Sequence, residues 1–207
     1  MRCYLVRHGQ TLWNGENRLQ GHSDLSLSPL GCEQAKRVGG YFSSLRSATR
    51  PFRLYTSHLK RSLETAQAIT HHVGVAATID TGLAEICLGA WEGLTPEEID
   101  ARFDGAYQLW RQQPSQVIIP GAESLEAFRG RVRRAFATML ARHPDDEALV
   151  VVSHGGVIAS VLADCLEADY DQVLRRLVLD NASISAVECR PHPHHILWVN
   201  GTAHLVT

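Results

Sequence analysis

Two short apolar runs, far apart in the chain, each stop at a histidine followed by glycine. Cys3-Tyr4-Leu5-Val6 leads into Arg7-His8-Gly9, and Leu149-Val150-Val151-Val152 leads into Ser153-His154-Gly155-Gly156. Runs of this length, bounded by a turn signal, read as buried β-strands. In open α/β sheets ligands sit outside the carboxyl ends of the strands. Both turns therefore belong on the functional edge, and two imidazoles there, one beside an arginine, point to nucleophilic chemistry on an anion.

Between these runs strand-like and helix-like segments alternate, the pattern of βαβ units. The expected fold class is α/β: a mainly parallel central sheet with helices on both faces. A polar stretch over residues 10–27 follows the first strand, and Ser28-Pro29 then caps a helix carrying Leu30, Ala35, Val38, Tyr41 and Phe42. Residues 53–56 read as a second strand, 58–71 as the next helix and 79–85 as a short third strand. Residues 89–123 are the least regular, with one capping box at Thr95-Pro96-Glu97-Glu98 and breaks at Pro114, Pro120 and Gly121. This segment is expected to form a small cap inserted over the carboxyl edge of one domain spanning 1–207. An amphipathic helix over 124–142, with Leu125, Phe128, Val132, Phe136 and Leu140 on one face, leads into the Val150 strand. A helix from near Gly156, a cap at Asp169-Tyr170-Asp171-Gln172 and a late strand over 182–189 complete the chain.

The bulk numbers exclude several classes. With 207 residues and 44 % hydrophobic content the chain can bury a sizeable core. Lys+Arg 20 against Asp+Glu 22 argues against a nucleic-acid or anionic-membrane partner, so any positive field must be local to a pocket. The first residues have a strand pattern rather than that of a signal peptide. The five cysteines, Cys3, Cys32, Cys87, Cys165 and Cys189, are scattered without C-x-x-C spacing, as in reduced cytosolic proteins. A cytoplasmic location is expected.

The residues from Leu5 to Asn14, Leu-Val-Arg-His-Gly-Gln-Thr-Leu-Trp-Asn, resemble the signature of the histidine phosphatase superfamily, in its phosphoglycerate-mutase-like branch. The order of the other pieces makes the match specific. Gly21-His22-Ser23-Asp24 comes next, then Ser57-His58-Leu59-Lys60-Arg61-Ser62-Leu63-Glu64-Thr65-Ala66. Leu83-Ala84-Glu85, Gly89-Ala90-Trp91-Glu92-Gly93, Pro120-Gly121-Ala122-Glu123-Ser124 and the His154 turn follow in turn. The resemblance covers nearly the whole chain and implies phosphoryl transfer from a small phosphorylated metabolite.

The residues suit that chemistry. Neutral imidazole at His8 can attack phosphorus and divide the transfer into two easier steps. Arg7 and Arg61 offer forked donors matched to phosphate oxygens, Arg61 from the first turns of a helix. His154 adds a donor from the facing strand end, and Asn14 a neutral amide. An alkoxide leaves poorly, so an acid must protonate it, and the resemblance assigns this to Glu85. Gln20, Gly21 and Gly155 complete the expected substrate-binding set, while Trp91, Trp110 and Arg111 are candidates for the outer pocket or for cap packing. No metal or other cofactor is expected, because the arginines already supply positive charge. His192-Pro193-His194-His195 is proline-interrupted near a hairpin, and His71-His72 ends a helix, where histidine favours the dipole.

Cofactor-dependent mutases of the resembled family have a longer insertion after the glutamate, a longer tail and paired arginines for the substrate carboxylate. Here the stretch is short and Trp110-Arg111-Gln112 offers one arginine followed by glutamine. A metal-independent phosphatase acting through a phosphohistidine is therefore the expectation. The alternatives are a phosphoglycerate mutase and a non-catalytic phospho-ligand binding module. The ester is open among a sugar phosphate, a phosphoglycerate, a phosphoserine, α-ribazole phosphate or a broad range, and a homodimer is left open.

Overall fold

The computed structural model describes residues 1–48, 52–145, 147–189 and 193–206. Among these described residues, six strands form one sheet in the order β3-β2-β4-β1-β5-β6. They are β1 (Arg2–Arg7), β2 (Phe52–Thr56), β3 (Ala77–Ile79), β4 (Ala148–Ser153), β5 (Ile184–Glu188) and β6 (His195–Gly201). The first four run parallel, while β5 pairs antiparallel with β1 and β6 antiparallel with β5. Parallel neighbours need crossover connections. These are supplied by α2 (Pro29–Ala48), α3 (Lys60–Val73) and α6 (Leu125–Arg142), with α1 (Leu12–Gly15) a single turn after β1.

The period-two alternation of the strands decides which helices cover which face. Cys3, Leu5, Leu149 and Val151 pack with Phe128, Val132 and Met139 of α6 and with Ile158 and Leu162 of α7 (Gly155–Cys165). Tyr4, Val6, Val150 and Val152 face the other way, onto Val38 and Phe42 of α2 and Ala66 and Ile69 of α3. All six residues of β4 are buried, which explains why it reads as a continuous apolar run.

Residues 89–123 form a small layer with its own apolar cluster of Leu88, Trp91 and Ile99, flanked by Leu19, Phe103, Tyr107 and Trp110. It contains α4 (Pro96–Arg102), opened by the Thr95/Glu98 capping box, and α5 (Ala106–Gln112). After α7, Asp169 caps α8 (Tyr170–Leu174), its side chain accepting from the Gln172 N–H.

The third strand departs from expectation. It occupies Ala77–Ile79, before the predicted 79–85 segment, which turns instead into a 3-10 helix over Thr81–Leu83. Asp80 enforces the turn by accepting the Gly82 N–H on Oδ1 at 2.8 Å. The residues after it are thereby free to leave the sheet and carry Glu85 over its edge.

Candidate active site

Register brings the two histidines together. Arg7 pairs with Ser153 at the ends of β1 and β4, so His8 and His154 leave the sheet side by side. The His8 N–H donates to Ser153 O at 2.9 Å, and the two rings stand 5.1 Å apart, centre to centre. Both histidines are buried.

The state of the His8 ring follows from its bonds. Nδ1 lies 2.7 Å from Gly9 O, and a carbonyl can only accept, so Nδ1 carries the proton. Nε2 is left with a lone pair, and the Nε–H of Arg61 points at it from 3.3 Å. Burial, then Arg61, then Arg7 hold the His8 pKa well below the ordinary histidine value, with the Gly9 carbonyl pulling the other way. The imidazole is neutral at neutral pH.

Arg61 is buried and rigidly held. Its Nη1 donates to Ser23 O and its Nη2 to Gly21 O, both at 2.8 Å. Burial lowers its pKa to about 10, which still leaves it charged at neutral pH. Gly21 turns this carbonyl inward with φ +49, and a Cβ there would lie 2.2 Å from Glu92 Oε1. Burial would raise the Glu92 carboxyl, but the His22 N–H, the Ser23 hydroxyl and the Leu88 N–H outweigh it and hold the pKa below its usual value. Arg7 anchors one Nη on Leu179 O, while its Nε is buried without a protein partner.

A cavity of about 230 Å³ opens beside these groups. Arg7, His8, Asn14, Gln20, Gly21, Arg61, Glu85 and Gly156 lie in its wall. Arg18, Leu88, Trp110 and Tyr170 extend it. A second chamber of about 310 Å³ shares Arg7, Glu85, Trp110 and Gly156 and adds Gly155, Arg111 and Arg175. Glu85 reaches in from the loop after the 3-10 helix, with Oε1 accepting the Ile86 N–H at 3.0 Å and Oε2 the Gly156 N–H at 3.1 Å. The cavity thus joins an unprotonated imidazole nitrogen, two guanidiniums and a carboxyl group, the set needed to exchange a phosphoryl group between oxygen and nitrogen.

Other expected residues take different places. His154 is not part of the cavity wall; its Nε2 lies 2.7 Å from Ser57 Oγ, and its Nδ1 is buried without a partner. Burial, Arg61 and His8 push its pKa well down. Asn14 lines the cavity, but its Oδ1 accepts from the Thr11 N–H, the Thr11 hydroxyl and the Asn181 amide, so that end fixes the turn of α1. Gln20 is buried with its Oε1 unpartnered. Trp91 is fully buried in the apolar cluster with Leu88 and Ile99, whereas Trp110 joins the cavity wall and stacks on Tyr107 at 5.8 Å. Gly155 lines only the second chamber.

Gly156 and Ser57 were not singled out by sequence reasoning. Gly156 matters because it presents its N–H to Glu85 and because a Cβ there would come within 2.4 Å of Glu85 Oε1. The signal was the doubled glycine opening α7, where a helix N-terminus must approach an acidic group closely.

His71 and His72 close the last turn of α3, and His72 bonds Ala68 O through Nδ1 at 2.9 Å. His192 lies outside the described residues; His194 bonds Cys189 O through Nδ1 at 2.7 Å. Among the described residues, no helix is long and apolar enough to cross a membrane.

Comparison with known proteins places the chain in a family. Residues 3–202 match the family model described as histidine phosphatase superfamily (branch 1). The chain is 34 % identical over 173 residues to glucosyl-3-phosphoglycerate phosphatase of Mycobacterium tuberculosis, covering 80 % of this chain and 75 % of that one. It is 34 % identical over 192 residues to the probable phosphoglycerate mutase GpmB of Salmonella paratyphi C, covering 91 % and 85 %. A mycobacterial glucosyl-3-phosphoglycerate phosphatase solved as a complex with VO3 superposes with a TM-score of 0.86 at 30 % identity, over 97 % of this chain and 99 % of that one. The chain belongs to the histidine phosphatase superfamily, branch 1.

Proposed function

We propose that this protein is a metal-independent phosphatase that hydrolyses small phosphomonoesters through a phosphohistidine at His8. The observation that carries the reading is the tautomer of His8. Its Nδ1–H is held by Gly9 O, which aims an unprotonated Nε2 at the guanidinium that would receive the phosphate.

In the first step, phosphate oxygens accept from Arg7 Nε and Arg61, His8 Nε2 bonds to phosphorus, and the ester P–O bond breaks. Glu85, protonated, gives its proton to the departing alkoxide. In the second step the Glu85 carboxylate takes a proton from water, whose oxygen bonds to phosphorus as the P–N bond breaks. Inorganic phosphate leaves, and His8 and Glu85 return to their starting states. Arg61, which is buried, and Arg7, which is part-buried in the cavity wall, supply the positive charge on the transferring group, so the reading requires no metal. Two adjoining chambers of about 230 and 310 Å³ suit a small metabolite, and a formal net charge of −2 argues against a nucleic-acid partner. The scattered free cysteines support a cytoplasmic setting.

The test is a phosphate-release assay with 3-phosphoglycerate, phosphoserine, glucose 6-phosphate, α-ribazole phosphate and p-nitrophenyl phosphate, each with and without excess EDTA. Release from at least one alkyl ester, unchanged by EDTA, is the expected result. Loss of activity in EDTA with recovery on adding Mg²⁺ or Mn²⁺ would contradict the charge assignment.

A further inference from the structure

We infer that Arg131 of α6, held by Glu123, is a positioning residue that aims Glu85 for proton transfer. This deepens the phosphatase reading and rests on Glu85 being its acid. Arg131 does not line the cavity, yet it gathers the loop that delivers Glu85. Its Nη1 donates to Gly82 O at 3.0 Å and to Ala84 O at 2.6 Å, and its Nη2 to Glu85 O at 2.7 Å. Nε and Nη2 each donate to the Glu123 carboxylate at 2.8 Å. A guanidinium has five N–H groups, and these bonds use all of them.

The arrangement meets a local need. The segment from Ala84 to Leu88 has left the sheet, and no strand neighbour fixes its peptide planes. The Glu85 carbonyl also accepts from His22 Nε2 at 2.8 Å, so both of its lone pairs are engaged. With that peptide fixed, the side chain needs only the Gly156 and Ile86 N–H groups to set its direction. Glu123 supplies the opposite charge and locks the guanidinium plane through a two-point pair, which a lysine could not reproduce. Arg131 also lies over the Phe128 ring at 5.0 Å, so part of its contribution is packing. The test must separate packing from aim.

Arg131→Lys and Glu123→Gln are compared with the parent and with Glu85→Gln, following the pre-steady-state release of alcohol from the best alkyl ester of the panel and of p-nitrophenol. Inorganic phosphate inhibition checks the rest of the site. Arg131→Lys should slow alkyl-ester cleavage on the order of 10–100-fold, as expected for a displaced acid, with p-nitrophenol release slowed less than about threefold. Phosphate inhibition should stay within about twofold, and in the Glu85→Gln background Arg131→Lys should cost less than about threefold more. Should Arg131→Lys fail to fold, Glu123→Gln carries the same comparison, since it keeps the guanidinium and its carbonyl bonds. Equal losses for both esters, additive losses in the double variant or full activity would overturn the proposal. If Glu85→Gln itself lacks the ester preference, the acid assignment fails and the inference falls with it. If Glu85→Gln shows the preference and Arg131→Lys does not, only the inference about Arg131 fails.

Discussion

The Nε–H of Arg61 points from 3.3 Å at Nε2 of His8, the one ring nitrogen that the Gly9 carbonyl leaves unprotonated. This contact adds to burial in keeping the imidazole neutral and places a fixed cation where its lone pair is directed. In the proposed mechanism the phosphate lies against both groups, so one guanidinium would both depress the basicity of the nucleophile and bind its target.

Neutral buried histidines have a consequence for pH. The pKa values of His8 and His154 are depressed in the fold, chiefly by burial, while unfolded histidine titrates near about 6.5. Below that pH the unfolded chain binds protons that the folded chain refuses. Stability is therefore lost as pH falls from about 6.5 toward the folded values, by about 1.4 kcal/mol per pH unit for each such histidine. Denaturant unfolding at steps from pH 7.5 to 5.5 should show a shallower dependence for His8→Ala than for the parent, by about one proton. Parallel curves would mean that His8 is already charged in the fold.

Glu85→Gln can keep only one of the two backbone N–H contacts, because an amide has a single acceptor oxygen, and it has no acidic proton to give. Alkyl-ester cleavage should fall by about 10²–10⁴-fold, and p-nitrophenyl phosphate, whose phenoxide leaves with little help, should lose much less in its burst. Inorganic phosphate should still inhibit. A uniform loss across leaving groups would remove Glu85 from the acid role.

Gly156→Ala tests the same carboxyl group from the other side. The added Cβ would lie 2.4 Å from Glu85 Oε1, the far end of a flexible side chain, and Gly156 is not in the positive-φ region. Folding should change by less than about 1 kcal/mol, while alkyl-ester turnover falls on the order of 10–100-fold through displacement of the acid. Thermal melting and kcat measured on one preparation check this. A large drop in melting temperature with kcat preserved would mean that the contact governs folding rather than catalysis.

Hydrolysis and isomerisation differ in whether water or a retained sugar acid attacks the phosphohistidine. Given 3-phosphoglycerate and 2,3-bisphosphoglycerate, the enzyme should isomerise more slowly than it hydrolyses its best ester. Rapid formation of 2-phosphoglycerate with little phosphate release would make the mutase reading primary.

Much of this site was legible from local signals. The strand-end histidines, the caps at Thr95 and Asp169 and the arginine of α3 all follow from short-range patterns. The third strand was misplaced because only Ala77–Ile79 pair, too few residues for an alternation to show, and because Asp80 bends Thr81–Leu83 into a 3-10 turn. Asn14 was named for its amide, but that Asn181, far away in sequence, and Thr11 share its Oδ1 while it lines the cavity could not be read from local pattern. Glu85 could be named, but not its support. Gly156 and Arg131 reach it from 71 and 46 residues away, and such contacts exist only once the sheet is assembled.

The covalent intermediate is the most direct test. Rapid quench with ³²P-labelled ester should trap label on the protein that is acid-labile and base-stable, carried by the peptide containing His8. His8→Ala should lose both label and turnover. Label of the same stability that survives His8→Ala, or turnover without any trapped label under burst conditions, would contradict the account.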